Sequence, residues 1–118
     1  NDESRPQSQP KWDHEEKVIL VVEYFRCKND PDMTKESNKL VSSFLRMRAM
    51  ALDMSVDDKF RNEAGIARQR VNLSHFDPTT ESNFTEHESG WMHDIMKEYV
   101  ANPEAVKEEY QDIIKKYL

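Results

Sequence analysis

The sequence predicts an all-α fold, a compact bundle of about five helices that form a single domain. Apolar side chains recur three and four residues apart in five separate segments, which is the spacing of one face of an α-helix. Asn, Asp, Ser and Pro residues separate most of these segments, as is typical of turns. Only residues 18–22 resemble a β-strand, and a lone strand would leave its backbone groups without partners. The alternative of a buried strand at this position is therefore disfavoured.

The first eleven residues are predicted to be a disordered tail, and the domain is predicted to span residues 12–118. Residues 1–10 contain two Pro and no apolar side chain, so they cannot offset the entropy lost on ordering. The first helix is predicted to follow Asp13 as N-cap, with Glu16 at the third helical position. It is expected to end at the Asn, Asp and Pro residues of a turn.

Two helices are predicted in the middle of the chain. The second helix is expected to be capped by Thr34, and the third to run from Asn62 to about His75. Gly65 lies inside the third helix at a cost of about 1 kcal/mol relative to Ala, which predicts close backbone packing or approach of a ligand. The expected apolar stripe of the second helix comprises Leu40, Phe44, Met47, Ala51 and Met54.

The last third of the chain is predicted to contain a surface loop and two helices. Residues 79–90 are rich in Ser, Thr and Glu, with Phe84 as their one apolar residue, which is typical of a loop. The fourth helix is expected to begin near Trp91. Asn102 followed by Pro103 is a strong start signal for the fifth helix.

Length, hydropathy and cysteine content exclude several classes of protein. A chain of 118 residues provides one modest core, which excludes a large multidomain enzyme. The longest apolar run has five residues, far below the roughly 20 that cross a bilayer. We therefore expect no membrane span. The single Cys27 excludes an intrachain disulfide and is consistent with a reducing, cytoplasmic location.

No sequence pattern indicates catalysis or metal binding. His14, His75, His87 and His93 are scattered, and no pair has the His-x3-His spacing that places two ligands on one helix face. Cys27 has no indicated base to activate its thiol, and the abundant carboxylates fit solvated helix faces and a loop. The sequence predicts a chain that is not an enzyme and that has no metal site or other cofactor.

Positive charge is concentrated in the middle of the chain. Residues 35–70 carry 8 basic and 5 acidic side chains, whereas the whole chain has a formal net charge of −6. Guanidinium groups bind phosphates or the edge of guanine, and amide side chains can bind the edge of adenine. The candidate DNA-binding residues are therefore Arg46, Arg48, Lys59, Arg61, Asn62, Arg68, Gln69, Arg70 and Asn72.

Part of this set is predicted to share one face of the third helix. Arg61, Arg68 and Asn72 are spaced by seven and four residues, and Gln69 borders them. A helix that presents such side chains can lie in the major groove of DNA. The alternative interpretation is that these are ordinary exposed residues, paired with acidic residues between positions 57 and 63.

Several spaced motifs resemble a known bacterial module. Residues 60–66 are Phe-Arg-Asn-Glu-Ala-Gly-Ile, followed by Asn-Leu at 72–73 and Phe-Asp-Pro at 76–78. Residues 12–16 are Trp-Asp-His-Glu-Glu, and residues 23–26 are Glu-Tyr-Phe-Arg. Together these motifs resemble the helical module that precedes HNH nuclease domains in restriction endonucleases of the modified-cytosine type.

The resemblance implies a non-catalytic DNA-recognition module of a restriction or phage-defence protein. Its implied partner is double-stranded DNA, with modified cytosine as the candidate target, and its cleavage domain would lie downstream. The HNH motif itself does not occur in this chain. Four candidate residues match the sequence signature of this module: Arg61, Asn62, Gly65 and Asn72.

Two other functional hypotheses remain open from the sequence. The acidic C-terminal helices and the Met-rich second helix can form a protein-interaction domain that binds no nucleic acid. Exposure of the methionines would favour it, since Met adapts to varied partners; they are Met47, Met50, Met54, Met92 and Met96. The net negative charge also permits an inhibitor that presents carboxylates in place of phosphates.

Overall fold

The computed structural model describes residues 10–79 and 90–118, which contain five α-helices and no strand. The prediction of an all-α bundle is confirmed. Residues 1–9 of the predicted tail (residues 1–11), and residues 80–89 of the predicted loop with Phe84 and His87, lie outside the described residues. No helix in the two described ranges has the length and apolar character needed to cross a bilayer. The helices are α1 (His14–Cys27), α2 (Pro31–Ala51), α3 (Glu63–Ser74), α4 (Trp91–Ala101) and α5 (Pro103–Tyr117).

Three predicted helix starts are confirmed by their capping hydrogen bonds. The Asp13 carboxylate accepts from the backbone N–H of Glu16 at 3.0 Å, and the Glu16 side chain accepts from that of Asp13 at 3.0 Å. The Asn62 side chain accepts from the N–H of Gly65 at 2.8 Å. Asn102 caps α5 in the same way. Each cap satisfies a backbone donor that the first turn leaves without an intrahelical partner.

The second helix starts earlier than predicted, at Pro31. Its N-cap is Asp30, whose carboxylate accepts from two backbone N–H groups at 3.0 and 3.1 Å. Proline suits the first helical position because its φ angle is already helical and its missing N–H is not needed there. Thr34 lies inside the helix, and its hydroxyl donates to the carbonyl of Cys27 at 2.7 Å. This bond ties the start of α2 to the end of α1.

The predicted apolar stripe of α2 is only partly correct: Phe44 and Met47 are half-buried, and Phe44 packs against the core, but the ends of the stripe are not buried. Leu40 is 60% exposed, and Met54 lies beyond the end of the helix. Polar side chains occupy several core-facing positions and are hydrogen-bonded there, so hydropathy alone does not identify the buried side. The buried residues of α2 are Ser37, Asn38, Val41, Ser42, Leu45, Arg48 and Ala49.

The first helix is the centre of the bundle and packs against each of the other four helices. This position explains its run of β-branched and aliphatic residues at 18–22, all of which are buried. A helix surrounded by other helices is apolar on most of its circumference. Cys27, at its end, is fully buried, as expected for a small apolar side chain.

A buried ion pair joins α1 to the segment before α3. Arg61 donates from Nε and Nη2 to the two carboxylate oxygens of Glu16, each at 2.9 Å. The two side chains are only 3% and 2% exposed. Arg61 lies before the N-cap of α3, with a φ of 46°, so it does not share the helical face predicted for it. Its guanidinium faces the interior.

We predict that Glu16→Gln lowers the free energy of unfolding by about 3–5 kcal/mol, because it leaves the buried Arg61 charge without a counter-ion. Urea denaturation followed by circular dichroism measures the change. The matched control is Glu36→Gln on the exposed side of α2, which should change stability by less than about 0.5 kcal/mol. Equal effects of the two variants would contradict a structural role for the pair.

A second polar cluster fixes the end of α3 against α1. The buried carboxylate of Asp77 accepts from the Tyr24 hydroxyl at 2.7 Å and from the Lys28 ammonium at 2.6 Å. Thr79 donates to it from its backbone N–H at 2.8 Å. Burial alone raises the pKa of Asp77, but the hydrogen bonds from Lys28, Thr79 and Tyr24 outweigh burial and hold it below its usual value.

This lowered pKa gives a direction for the pH dependence of stability. The folded pKa of Asp77 lies below its unfolded value, so its contribution is present above pH about 4 and is lost on further acidification. Asp77→Asn should lower stability at pH 7 by about 2 kcal/mol and flatten the acid loss. Urea denaturation between pH 2 and 7 measures both effects, and parallel profiles for variant and wild type would contradict this account.

Candidate nucleic-acid interface

An open groove of about 530 Å³ lies at the N-terminal end of α3. Part of its wall comes from the segment before α1, and part from the first two turns of α3. All the charged residues that line it are basic. We call it the α3 groove; its polar and aromatic lining residues are Trp12, Lys59, Arg61, Asn62, Arg68 and Gln69.

Two exposed cations lie at this groove. Lys59 and Arg68 are both exposed, and neither side chain forms an ion pair within residues 10–79 and 90–118. The nearby Asp57 carboxylate accepts from the backbone N–H groups of Lys59 and Phe60, at 3.0 and 2.8 Å. In this part of the chain Lys59 and Arg68 are therefore available to an external anion.

Two amide side chains lie beside these cations. The Asn62 oxygen is held by the backbone N–H of Gly65, and a Cβ atom on Gly65 would come within 3.0 Å of that oxygen. Glycine at this position thus makes room for the cap, which explains its place in a helix. The Gln69 oxygen accepts from Asn72 at 3.5 Å, a weak contact between exposed side chains.

An aromatic and cationic stack supports the wall of the groove. The Trp12 ring stacks on Trp91, with 5.4 Å between ring centroids and 18° between planes. The Arg61 guanidinium carbon lies 4.6 Å from the centroids of Trp12 and of Phe60. Stacked aromatic rings attract each other, and so do a cation and the face of an aromatic ring. These contacts hold Trp12, and with it the wall of the groove, in place. The stack also connects the groove to the start of α4.

Arg48 and Arg70 are buried like Arg61, which corrects the expectation that these three arginines contact DNA phosphates. Each is 4–5% exposed and has partners inside the protein. Arg48 donates to Asp13 at 2.7 Å and to Glu15 at 2.9 Å. These carboxylates take the place that the sequence analysis assigned to phosphate oxygens.

Arg70 connects α3 to two neighbouring helices. Its guanidinium donates to Asn38 and Ser37 of α2, and to the backbone carbonyl of Glu23 in α1 at 3.2 Å. Burial lowers the pKa of Arg70 below its usual range. Arg70 can be buried because these acceptors satisfy its N–H groups inside the protein. They lie 32–47 residues away from Arg70 in the sequence.

The remaining two candidates lie outside the groove lining. Arg46 is half-buried, and its Nη1 donates to the backbone carbonyls of Asp57 and Phe60 at 3.0 and 2.6 Å. It therefore braces the loop that leads into α3. Asn72 is exposed on α3, next to Gln69. The structure thus brings Lys59, Arg61, Asn62, Arg68 and Gln69 together at one groove.

The five methionines whose exposure would favour the protein-interaction hypothesis differ in burial. Met96 is buried, Met47, Met54 and Met92 are half-buried, and Met50 is 60% exposed. Exposure at one position favours that hypothesis only for the C-terminal end of α2.

A cluster that sequence spacing does not indicate is formed by residues of α1, α4 and α5. His14 of α1, Glu98 of α4 and Glu109 of α5 present ligand atoms within 4.8 Å of one another. The His-x3-His spacing indicates ligands on a single helix, whereas these three residues come from three helices. Only the packing of α1 against α4 and α5 assembles them.

Comparison of the chain with protein-family models finds no matching family. Comparisons with curated proteins and with solved structures likewise find no significant match. The geometry and charge of the α3 groove and the motifs in the sequence are therefore the support for a function.

Proposed function

We propose that this chain is a non-catalytic module that binds double-stranded DNA through the α3 groove. The observation that carries the proposal is the charge of the groove: all its charged lining residues are basic, in a chain whose formal net charge is −6. Phosphate neutralisation by Lys and Arg supplies most of the affinity of proteins for DNA. Because the rest of the protein has an excess of acidic groups, DNA is expected to bind at the basic α3 groove.

In the proposed complex the groove residues have different roles. Lys59 and Arg68 neutralise backbone phosphates, which position the protein without specifying sequence. Gln69 offers its amide group to the edge of a base, whereas Asn62 offers only its amide N–H, because its oxygen caps α3. The N-terminus of α3 adds the favourable end of a helix dipole for a phosphate. Arg61 contributes indirectly, because its guanidinium is bound to Glu16 and supports the wall.

We further propose that the module belongs to a bacterial restriction or phage-defence protein whose nuclease domain is a separate part. The support is the resemblance of the motifs at residues 12–16, 23–26 and 60–78. Several of these residues hold the fold together: Arg61 pairs with Glu16, Asn62 caps α3, and Asp77 is bonded to α1. The resemblance therefore supports a fold in common with the restriction-endonuclease module. Recognition of modified cytosine is a separate hypothesis, which DNA binding can test.

The decisive experiment is fluorescence anisotropy of labelled DNA duplexes between about 50 and 200 mM salt. The double variant Lys59→Ala with Arg68→Ala should weaken binding about tenfold at the lower salt. It should also reduce the salt slope by about 2, because two phosphate contacts are lost. Both residues are exposed and have no ion-pair partner in the described ranges, so the fold should be retained.

The matched control removes the same charge elsewhere. Lys107→Ala with Lys115→Ala, both exposed on α5, should leave affinity and salt slope nearly unchanged. Equal loss in the two double variants would mean that net charge, not the groove, governs binding. Duplexes with unmodified, 5-methyl and 5-hydroxymethyl cytosine test the recognition hypothesis, and equal affinity for all three would contradict it.

The second candidate function is binding to a protein through the C-terminal end of α2. Met50 and Leu52 are 60% and 46% exposed there, two residues apart in the chain. Adaptable Met side chains occur on surfaces that accept varied partners. Absence of binding to every duplex at about 50 mM salt would make this the leading hypothesis.

A further inference from the structure

His14, Glu98 and Glu109 form a cluster whose members come from three helices. Their ligand atoms lie within 4.8 Å of one another. The closest pair is His14 Nε2 and Glu109 Oε2, at 2.6 Å. Around a tetrahedral zinc ion, bonds of about 2.0–2.2 Å place ligand atoms about 3.4 Å apart. The side chains must rotate to reach that spacing; His14 and Glu98 are exposed and Glu109 is half-buried, so the core does not hold them fixed.

The backbone of the cluster is held in place by the fold. His14 is the first residue of α1 and lies within its capping box, directly after the N-cap Asp13. Glu98 and Glu109 lie on α4 and α5, which pack against each other and against α1. Ligands on packed helices keep their relative positions better than ligands on loops.

The charge of the cluster favours a cation. Within the described ranges Glu98 has no ion pair, and His14 is the one ion-pair partner of Glu109. Two nearby carboxylates raise each other's electrostatic energy unless a cation lies between them. A divalent ion between them would neutralise both carboxylates.

The combination of ligand types selects the class of ion. Mg²⁺ and Ca²⁺ take oxygen ligands, whereas imidazole nitrogen suits zinc and other first-row transition metals. Three protein ligands leave one tetrahedral position for water. We propose that His14, Glu98 and Glu109 bind Zn²⁺ and thereby clamp the start of α1 to α4 and α5.

The experiment measures metal binding directly, without DNA, so its outcome is independent of the proposed function. Metal-free protein is titrated with ZnCl₂ by calorimetry at pH 7.5, and thermal unfolding is followed in parallel. Zn²⁺ at about 100 times its Kd should raise Tm by about 5 °C or more, because the metal binds the folded state. Mg²⁺ and Ca²⁺ at the same concentration should not.

Three variants locate the site, and two control variants test its specificity. His14→Ala, Glu98→Gln and Glu109→Gln should each reduce Zn²⁺ affinity at least about tenfold. His75→Ala and Glu108→Gln change exposed residues of the same types elsewhere and should retain it. Absence of Zn²⁺ binding up to about 1 mM would overturn the proposal. So would unchanged affinity in His14→Ala, which would assign the ion to other residues.

Discussion

The buried ion pair between Arg61 and Glu16 is the contact on which the rest of the structure depends. Removing two charges from water is costly, and here the cost is offset by two hydrogen bonds at 2.9 Å. Arg61 also donates to the backbone carbonyl of Pro10 at 3.0 Å. It adopts a left-handed φ of 46°, a conformation that persists in a non-glycine residue only where its surroundings enforce it. The pair therefore fixes three segments at once: the chain before α1, the start of α1 and the entry to α3.

Other buried polar groups extend this organisation through the core. Glu23 accepts from Ser37 of α2 and from Tyr110 of α5, both at 2.6 Å, and Arg70 of α3 donates to its backbone carbonyl. Burial raises the pKa of Glu23, but hydrogen bonds from Arg26, Ser37 and Tyr110 lower it overall. Buried polar contacts add little net stability relative to apolar packing, yet loss of one partner is costly. They consequently constrain which helices can pack together and in which register.

The distribution of charge connects the two proposed sites. The α3 groove is basic, whereas residues 71–118 carry 4 basic and 10 acidic side chains. In the proposed complex the acidic helices repel phosphates and so restrict DNA to the side of α3. Two of the proposed zinc ligands, Glu98 and Glu109, belong to this acidic part of the chain, and a bound cation would neutralise both carboxylates. Both proposals follow from the uneven distribution of charge along the chain: residues 35–70 carry an excess of basic side chains, and residues 71–118 carry an excess of acidic ones.

The sequence by itself determined the features that depend on neighbouring residues. Helix number and the caps at Asp13, Asn62 and Asn102 follow from local hydrogen bonding and spacing, and all are found as predicted. Tertiary structure decided which cations are exposed, because the partners of Arg48 and Arg70 lie more than thirty residues away. Helical periodicity identifies a face, but it carries no information about which distant carboxylate or amide meets that face. For the same reason only the fold could bring Trp12 onto Trp91, or three ligands from three helices into one cluster.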